Sequence, residues 1–239
     1  DLPEETVEQI GAKAARFEEL RKGQTFVRAE AAADLYVAAF LLPKVGRAPA
    51  GPSERTVPTT EELWMALDRG KIRQAMVEAP KAAQHVRAFH WPLEFPDVML
   101  RGGFDVVLGN PPWDVMQLSD GEFFASSKPE IAEMKGAKRK AAIEKLRAND
   151  PRLFQDYEFE KRISAATTEF SRSSGRFPHS AKGKVNTFAL FADLFFSACA
   201  EGGKCGAILP AEITTSETLS DFMRYLRSCS AIDAIYSFE

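Results

Sequence analysis

Residues Phe104–Asp114 read FDVVLGNPPWD, and this stretch constrains the fold more than any other part of the chain. Phe104–Leu108 is a short apolar run rich in Val and closed by Gly-Asn-Pro-Pro, the pattern of a buried parallel strand that ends at a loop. Two consecutive prolines fix two φ angles and remove two backbone donors. The loop is therefore stiff, and it presents carbonyl oxygens together with the side-chain oxygen of Asn110. Trp113 adds a broad flat face. In open α/β sheets ligands bind beyond the carboxyl ends of the strands. There these groups form a socket for a planar ring bearing an exocyclic amine, with acceptors for its N–H bonds and an aromatic plate for stacking.

The C-terminal part of the sequence repeats the rhythm. Asn186–Ala200 reads as a helix, stopped by Gly202-Gly203, and Cys205–Leu209 as a strand closed by Pro210. A helix over Glu217–Ser228 and a strand over Ala231–Phe238 complete the series. Strand and helix in alternation imply an α/β fold with a mostly parallel sheet. Between the two motifs, residues 114 to about 185 form a long polar insert with helical stretches.

Upstream the signal is helical. Val7, Ile10, Ala14 and Phe17 recur three and four apart within Thr6–Leu20, which places them on one helix face. Glu4, Glu5 and Glu8 belong to its first turn, where the helix dipole favours acidic groups. A largely buried helix is expected over Phe26–Leu42. The stretch VGRAPAGPSERTVPTT reads as a loop, and further helices as Glu61–Asp68 and Lys71–Phe89, the latter divided by Pro80.

Charge and cysteine usage exclude several classes. A net charge of −3 does not signal a polyanion-coating protein, although a nucleic-acid enzyme can be mildly acidic overall if one face gathers its Lys and Arg. Lys135, Lys138, Arg139, Lys140, Lys145 and Arg147 crowd one section of the insert, either as a solvated helix face or as a phosphate-contacting element. Cys199, Cys205 and Cys229 lack CxxC spacing and read as buried or free thiols, with Cys205 a small core residue. His85 and His179 have no ligand-spaced partners, so no metal site is expected. His90 and Trp91 in FHWPLEFP read as packing residues, with Glu94 capping or pairing with a helix. No stretch has the apolar length of a membrane span, which together with the cysteine pattern points to a cytoplasmic protein. The segment SRSSGRFPHSAKGK reads as a flexible loop, with Phe177 a candidate stacking residue.

With these residues in view, FDVVLGNPPWD resembles the [DNS]-P-P-[YFW] signature of amino-methyltransferases that use S-adenosylmethionine. VNTFALFADLFFSACAEGGKCGAILPAEI is similar to the next element of such enzymes, and FHWPLEFP and AAADLYVAAFLLPK resemble stretches of large fused restriction–modification (type IIG-like) and phage-defence methylases. The resemblance implies a methyltransferase that acts on N6 of adenine in double-stranded DNA. It implies a partial Rossmann-like class I core in residues 101–239, carrying a helical insert at about 114–185, behind a helical region in residues 1–100. Asn110 and the Pro111 carbonyl would accept hydrogen bonds from the target amine, holding its lone pair toward the methyl group. Pro112 would stiffen the loop and Trp113 would stack on the flipped base. Pro210 and Asn186 would line the base pocket, and Lys138, Arg139 and Lys140 would contact DNA. Asn186 has a simpler role open to it as a helix N-cap.

The family's cofactor motif, a glycine-rich turn after a strand with an acidic residue beyond it, is not found in the sequence. The first residue is Asp and the last residues read as a strand, so both ends look cut. The expectation is a fragment whose S-adenosylmethionine site lies upstream of Asp1, with a specificity domain or subunit and a nuclease as further parts of the parent, and with little activity alone. Two other readings stay open: a protein glutamine-amide methyltransferase, which shares the Asn-Pro-Pro-aromatic loop, and an inactive fragment that binds DNA or a partner.

Overall fold

The computed structural model describes residues 5–44 and 56–238. The chain divides into two compact units, Asp1–Arg101 and Gly102–Glu239. Residues 45–55, most of the loop expected at VGRAPAGPSERTVPTT, lie outside the described residues, as does Glu4.

The first unit is helical. Helix α1 (Val7–Lys22) starts from a capping box in which the Thr6 side chain accepts from the Gln9 amide while the Gln9 side chain accepts from Thr6 N–H. None of its residues is buried, so the expected apolar face with Val7 and Ile10 stays open. Helix α2 (Gln24–Leu41) supplies the core and packs on α3 (Thr60–Arg69) and α4 (Ala79–His85). Leu35, Ala38, Ala66, Met76 and Ala79 form one buried cluster. Alanines at the helix contacts let the backbones approach closely. Pro80 stands in the first turn of α4, where a missing N–H costs nothing, so the proline begins a helix instead of kinking one.

Two short helices, α5 (Trp91–Glu94) and α6 (Pro96–Leu100), carry the FHWPLEFP stretch. It is held by polar pins. His90 Nε2 lies 2.8 Å from Asp34 Oδ1 on α2, and Arg21 of α1 reaches Glu94 at 2.6 Å. Trp91 stacks on Phe95.

The second unit begins with strand β1 (Phe104–Gly109). Helices α7 (Asp120–Ala125), α8 (Pro129–Glu133), α9 (Gly136–Asn149) and α10 (Pro151–Ser173) come next, then α11 (Thr187–Ala198) and strand β2 (Cys199–Ala207). A short helix α12 (Glu212–Thr215) and helix α13 (Ser220–Ser228) come last. The strands pair in parallel, Val106 opposite Lys204 and Gly109 opposite Ala207, with an irregularity between Phe104 and Val106. This is a mixed, mainly helical arrangement around a small two-stranded parallel sheet, consistent with an α/β fold.

The structure corrects three expectations. Gly202-Gly203 does not stop the helix: α11 ends at Ala198, and both glycines lie within β2, at the irregular part of the ladder. Residues 231–238 form no strand. A strand needs a partner for its backbone groups, and this segment is held by Lys204 to Asp233 at 2.6 Å while Tyr236 and Phe238 stay exposed. Cys205 is exposed rather than core: it is paired with Val107 in a sheet of two strands, too narrow to be covered throughout, and Leu108 on the opposite face is 77% exposed.

The insert builds its own core. Phe124, Ile131, Ile143, Leu146, Phe154 and Tyr157 interlock, with Asp150 capping α10 through the Leu153 amide. Tyr157 donates its hydroxyl to Asp120 at 2.9 Å. Burial, and then the Asp120 hydrogen bond, push this phenol from 10.0 up to about 12. A group whose folded pKa is raised contributes stability below its unfolded pKa and loses it as pH rises through the folded value. Unfolding midpoints of the wild-type chain should therefore fall between pH 10 and about 12, and Tyr157→Phe should flatten that fall when chemical denaturation is followed across the same window.

Candidate functional site

The segment Asn110-Pro111-Pro112-Trp113 leaves the carboxyl end of β1. The register brings β2 to the same edge: Ile208 N–H donates to Gly109 O at 3.1 Å, so Ile208-Leu209-Pro210 leaves the sheet beside Asn110. Pro210 thus follows β2 after Ile208 and Leu209, and β2 is the strand next to the one that carries the loop. Gly109 is required for a packing reason. A Cβ there would meet the Phe195 ring of α11 at 2.7 Å, so the missing side chain lets the helix close on the strand just before the loop. Gly103, at φ 127°, plays the same part at the other end of β1, under the carbonyl of Ala198.

Pro111 is buried, whereas Asn110 and Pro112 are exposed. Trp113 is 52% exposed, so a large part of this residue is open to solvent. Among the described residues no hydrogen bond engages the Asn110 amide or the Pro111 carbonyl. Both acceptors assigned to the amine are thus unoccupied by protein groups.

The other side of the loop is tightly held. Thr187, the first residue of α11, donates its hydroxyl to Pro112 O at 2.7 Å and accepts the Asp114 N–H at 2.9 Å. The Thr187 N–H donates to Asp114 O at 2.8 Å. Val115 and Asn186 form an antiparallel bridge, and Met116 N–H donates to Val185 O at 2.9 Å. Helix α10 adds a third support, with Thr168 Oγ1 donating to Met116 O at 2.7 Å and Ser164 Oγ accepting from Leu118 N–H at 2.9 Å. Asn186 occupies the N-cap position of α11 but makes no side-chain cap bond, so its amide stays available beside the loop. Sequence reading missed Thr187. Its only signal was its place directly after Asn186, and a threonine in the first turn of a helix is common for reasons of capping alone.

The basic section of the insert divides. Lys138 and Lys140 are exposed on α9. Arg139 is turned inward, its guanidinium bonded to the carbonyls of Ile131 at 3.3 Å and Ala132 at 2.6 Å at the end of α8. These donors satisfy helix-end acceptors, so Arg139 is held by α8 where Lys138 and Lys140 project from α9. Lys138 and Lys145 instead flank an open groove of about 610 Å³ with Lys128. Phe177 packs against Ala181, Val185 and Leu190 rather than standing free. The loop around it is pinned too: Ser180 donates to the buried Asp193 carboxylate at 2.7 Å.

A methyl donor of the S-adenosylmethionine class calls for a glycine-rich turn leading from a strand into a helix. Among the described residues, β1 opens into Asn-Pro-Pro and β2 into Ile-Leu-Pro, so neither turn fits. No group of three or more metal-ligating side chains occurs among the described residues, and none of their helices is long and apolar enough to cross a membrane.

Residues 52–145 match the model of the Eco57I restriction-modification methylase family. The match runs through β1, the whole Asn110–Trp113 loop and the start of the basic insert. It supports a restriction–modification methylase, a DNA methyltransferase in general terms. Neither the curated proteins nor the solved structures gave a match.

The glycine contact yields a stability test. Gly109→Ala should cost about 1–3 kcal/mol by overpacking against Phe195, and Phe195→Leu in the same chain should return most of that loss in urea unfolding. Additive costs would show that the ring and the glycine do not meet.

Proposed function

We propose that this chain provides the amine-binding side of an S-adenosylmethionine-dependent DNA methyltransferase that acts on N6 of adenine, within a cytoplasmic restriction–modification or phage-defence enzyme. The observation that carries the reading is the Asn110-Pro111-Pro112-Trp113 loop itself: two unengaged acceptors next to a solvent-open tryptophan, at the carboxyl edge of a parallel strand pair. The methylase-family match across the same residues supports it.

In this reading adenine is rotated out of the duplex, at a cost on the order of a few kcal/mol. Stacking on Trp113 offsets about 1–3 kcal/mol of that. The two N–H bonds of the adenine amine point to the Asn110 side-chain oxygen and the Pro111 carbonyl. An amine held by two acceptors has its lone pair directed away from them, toward the donor. Adenine suits this geometry because its amine carries two hydrogens beside a flat ring. No side chain is asked to serve as a strong base, since the amine sheds its proton during or after transfer. The rate enhancement comes mainly from placement in a site that excludes water, and such alignment contributes several kcal/mol. Exposed Lys138 and Lys140 would meet phosphates, giving affinity that falls with salt. Residues 1–100 form a helical region in this reading and residues 101–239 the C-terminal half of the catalytic core, with the methyl-donor site and any specificity domain or nuclease supplied by other parts of the enzyme.

The test is transfer of labelled methyl from S-adenosylmethionine to duplex DNA by the full-length protein, with the product nucleoside identified by mass spectrometry. N6-methyladenine is expected. Asn110→Ala should lower transfer by at least about 100-fold, the scale of a lost transition-state hydrogen-bond acceptor, with an unchanged unfolding curve. Label in protein glutamine instead would overturn the DNA assignment in favour of amide methylation, and label in neither would favour a binding-only role.

A further inference from the structure

We propose that Thr187 is the positioning residue of the Asn110–Trp113 loop: its hydroxyl fixes which backbone carbonyl faces the target amine and how the Trp113 ring is presented. This inference rests on the amine-binding reading of the loop.

Pro111 and Pro112 have no N–H, so the loop cannot close its own turn with backbone hydrogen bonds across those positions. Restraint has to come from outside. Thr187 brings one donor hydrogen and two acceptor lone pairs on a single short side chain. Its Oγ1 lies 2.7 Å from Pro112 O and 3.1 Å from Asp114 O. Asp114 O already receives the Thr187 N–H at 2.8 Å, so the single hydroxyl proton goes to the nearer, otherwise unserved Pro112 carbonyl. The same oxygen accepts from Asp114 N–H at 2.9 Å. One side chain therefore grips the residue before Trp113 and the residue after it.

The clamp has two chemical consequences. The Pro112 carbonyl is engaged and so withdrawn from the amine, while the Pro111 carbonyl carries no hydrogen bond from the described residues. With both proline φ angles fixed by their rings, holding the Pro112 carbonyl also restricts rotation at the Pro111 carbonyl. Meanwhile Trp113 sits between two clamped neighbours, so the residue is held out at 52% exposure without being packed in place. An arrangement of this kind changes alignment rather than affinity, and misplacement on the order of 1 Å costs about 100-fold in rate.

Thr187→Val keeps the shape and removes both hydrogen bonds, while Thr187→Ser keeps the hydroxyl. In the full-length protein acting on duplex DNA, Thr187→Val should lower kcat by about 10–100-fold with KM for DNA changed by less than about 3-fold. Thr187→Ser should return kcat to within about 3-fold of wild type. Amide hydrogen exchange supplies a readout independent of turnover. The Asp114 amide should be protected in wild type and Thr187→Ser and lose protection in Thr187→Val, while the Met116 amide, bonded to Val185 O, keeps it in all three. Unchanged protection of Asp114 in Thr187→Val overturns the clamp. Lost protection with unchanged kcat overturns its catalytic importance. A wild-type protein that methylates no DNA overturns the amine-binding reading of the loop, and the exchange data then still decide whether the clamp exists.

Discussion

The parallel pairing of β1 with β2 is the constraint on which the rest of the site depends. Parallel strands cannot be joined by a hairpin, so the chain must leave the sheet after Trp113, build the insert, and return at Asn186. That return is what brings the start of α11 against the loop. Gly109 then lets α11 settle on the strand through Phe195, and Thr187, just past the end of the insert, is set down beside Pro112. The loop's stiffness is thus shared. Its prolines limit torsions locally, and a residue on a different element supplies the hydrogen bonds that the prolines removed.

This division explains what was legible in the sequence. The strand at Phe104–Leu108 and the loop after it could be read because apolar run, glycine and double proline are local signals, and the strand observed is Phe104–Gly109. The helix after Asn186 was legible for the same reason. The end of that helix was not: Gly202-Gly203 looks like a stop, but its backbone is used in an irregular stretch of β2, and only the pairing with β1 decides that. The stretch from Ala231 to Phe238 has strand composition and no strand partner, so composition misled there. Arg139 shows the same limit for charge. A run of basic residues cannot reveal which guanidinium will turn inward to the carbonyls closing α8.

Thr187 marks the deeper limit. Its importance lies in contacts with residues far away in sequence, at Pro112 and Asp114. Nothing local distinguishes it from any threonine that opens a helix. Motifs disclose the groups that face a ligand. The groups that hold those motifs still become visible only when the chain has closed on itself.

The central claim is that Asn110 and the Pro111 carbonyl accept the two N–H bonds of an adenine amine beside Trp113. The most direct measurement is an NMR titration of the protein, observing the Asn110 side-chain amide and the Trp113 indole, with adenosine and with N6,N6-dimethyladenosine. The two nucleosides share a stacking face, but only adenosine can donate from N6. Adenosine should shift both signals saturably, and the dimethyl analogue should leave Asn110 unmoved. Equal shifts from both nucleosides, or none from adenosine, would contradict the claim.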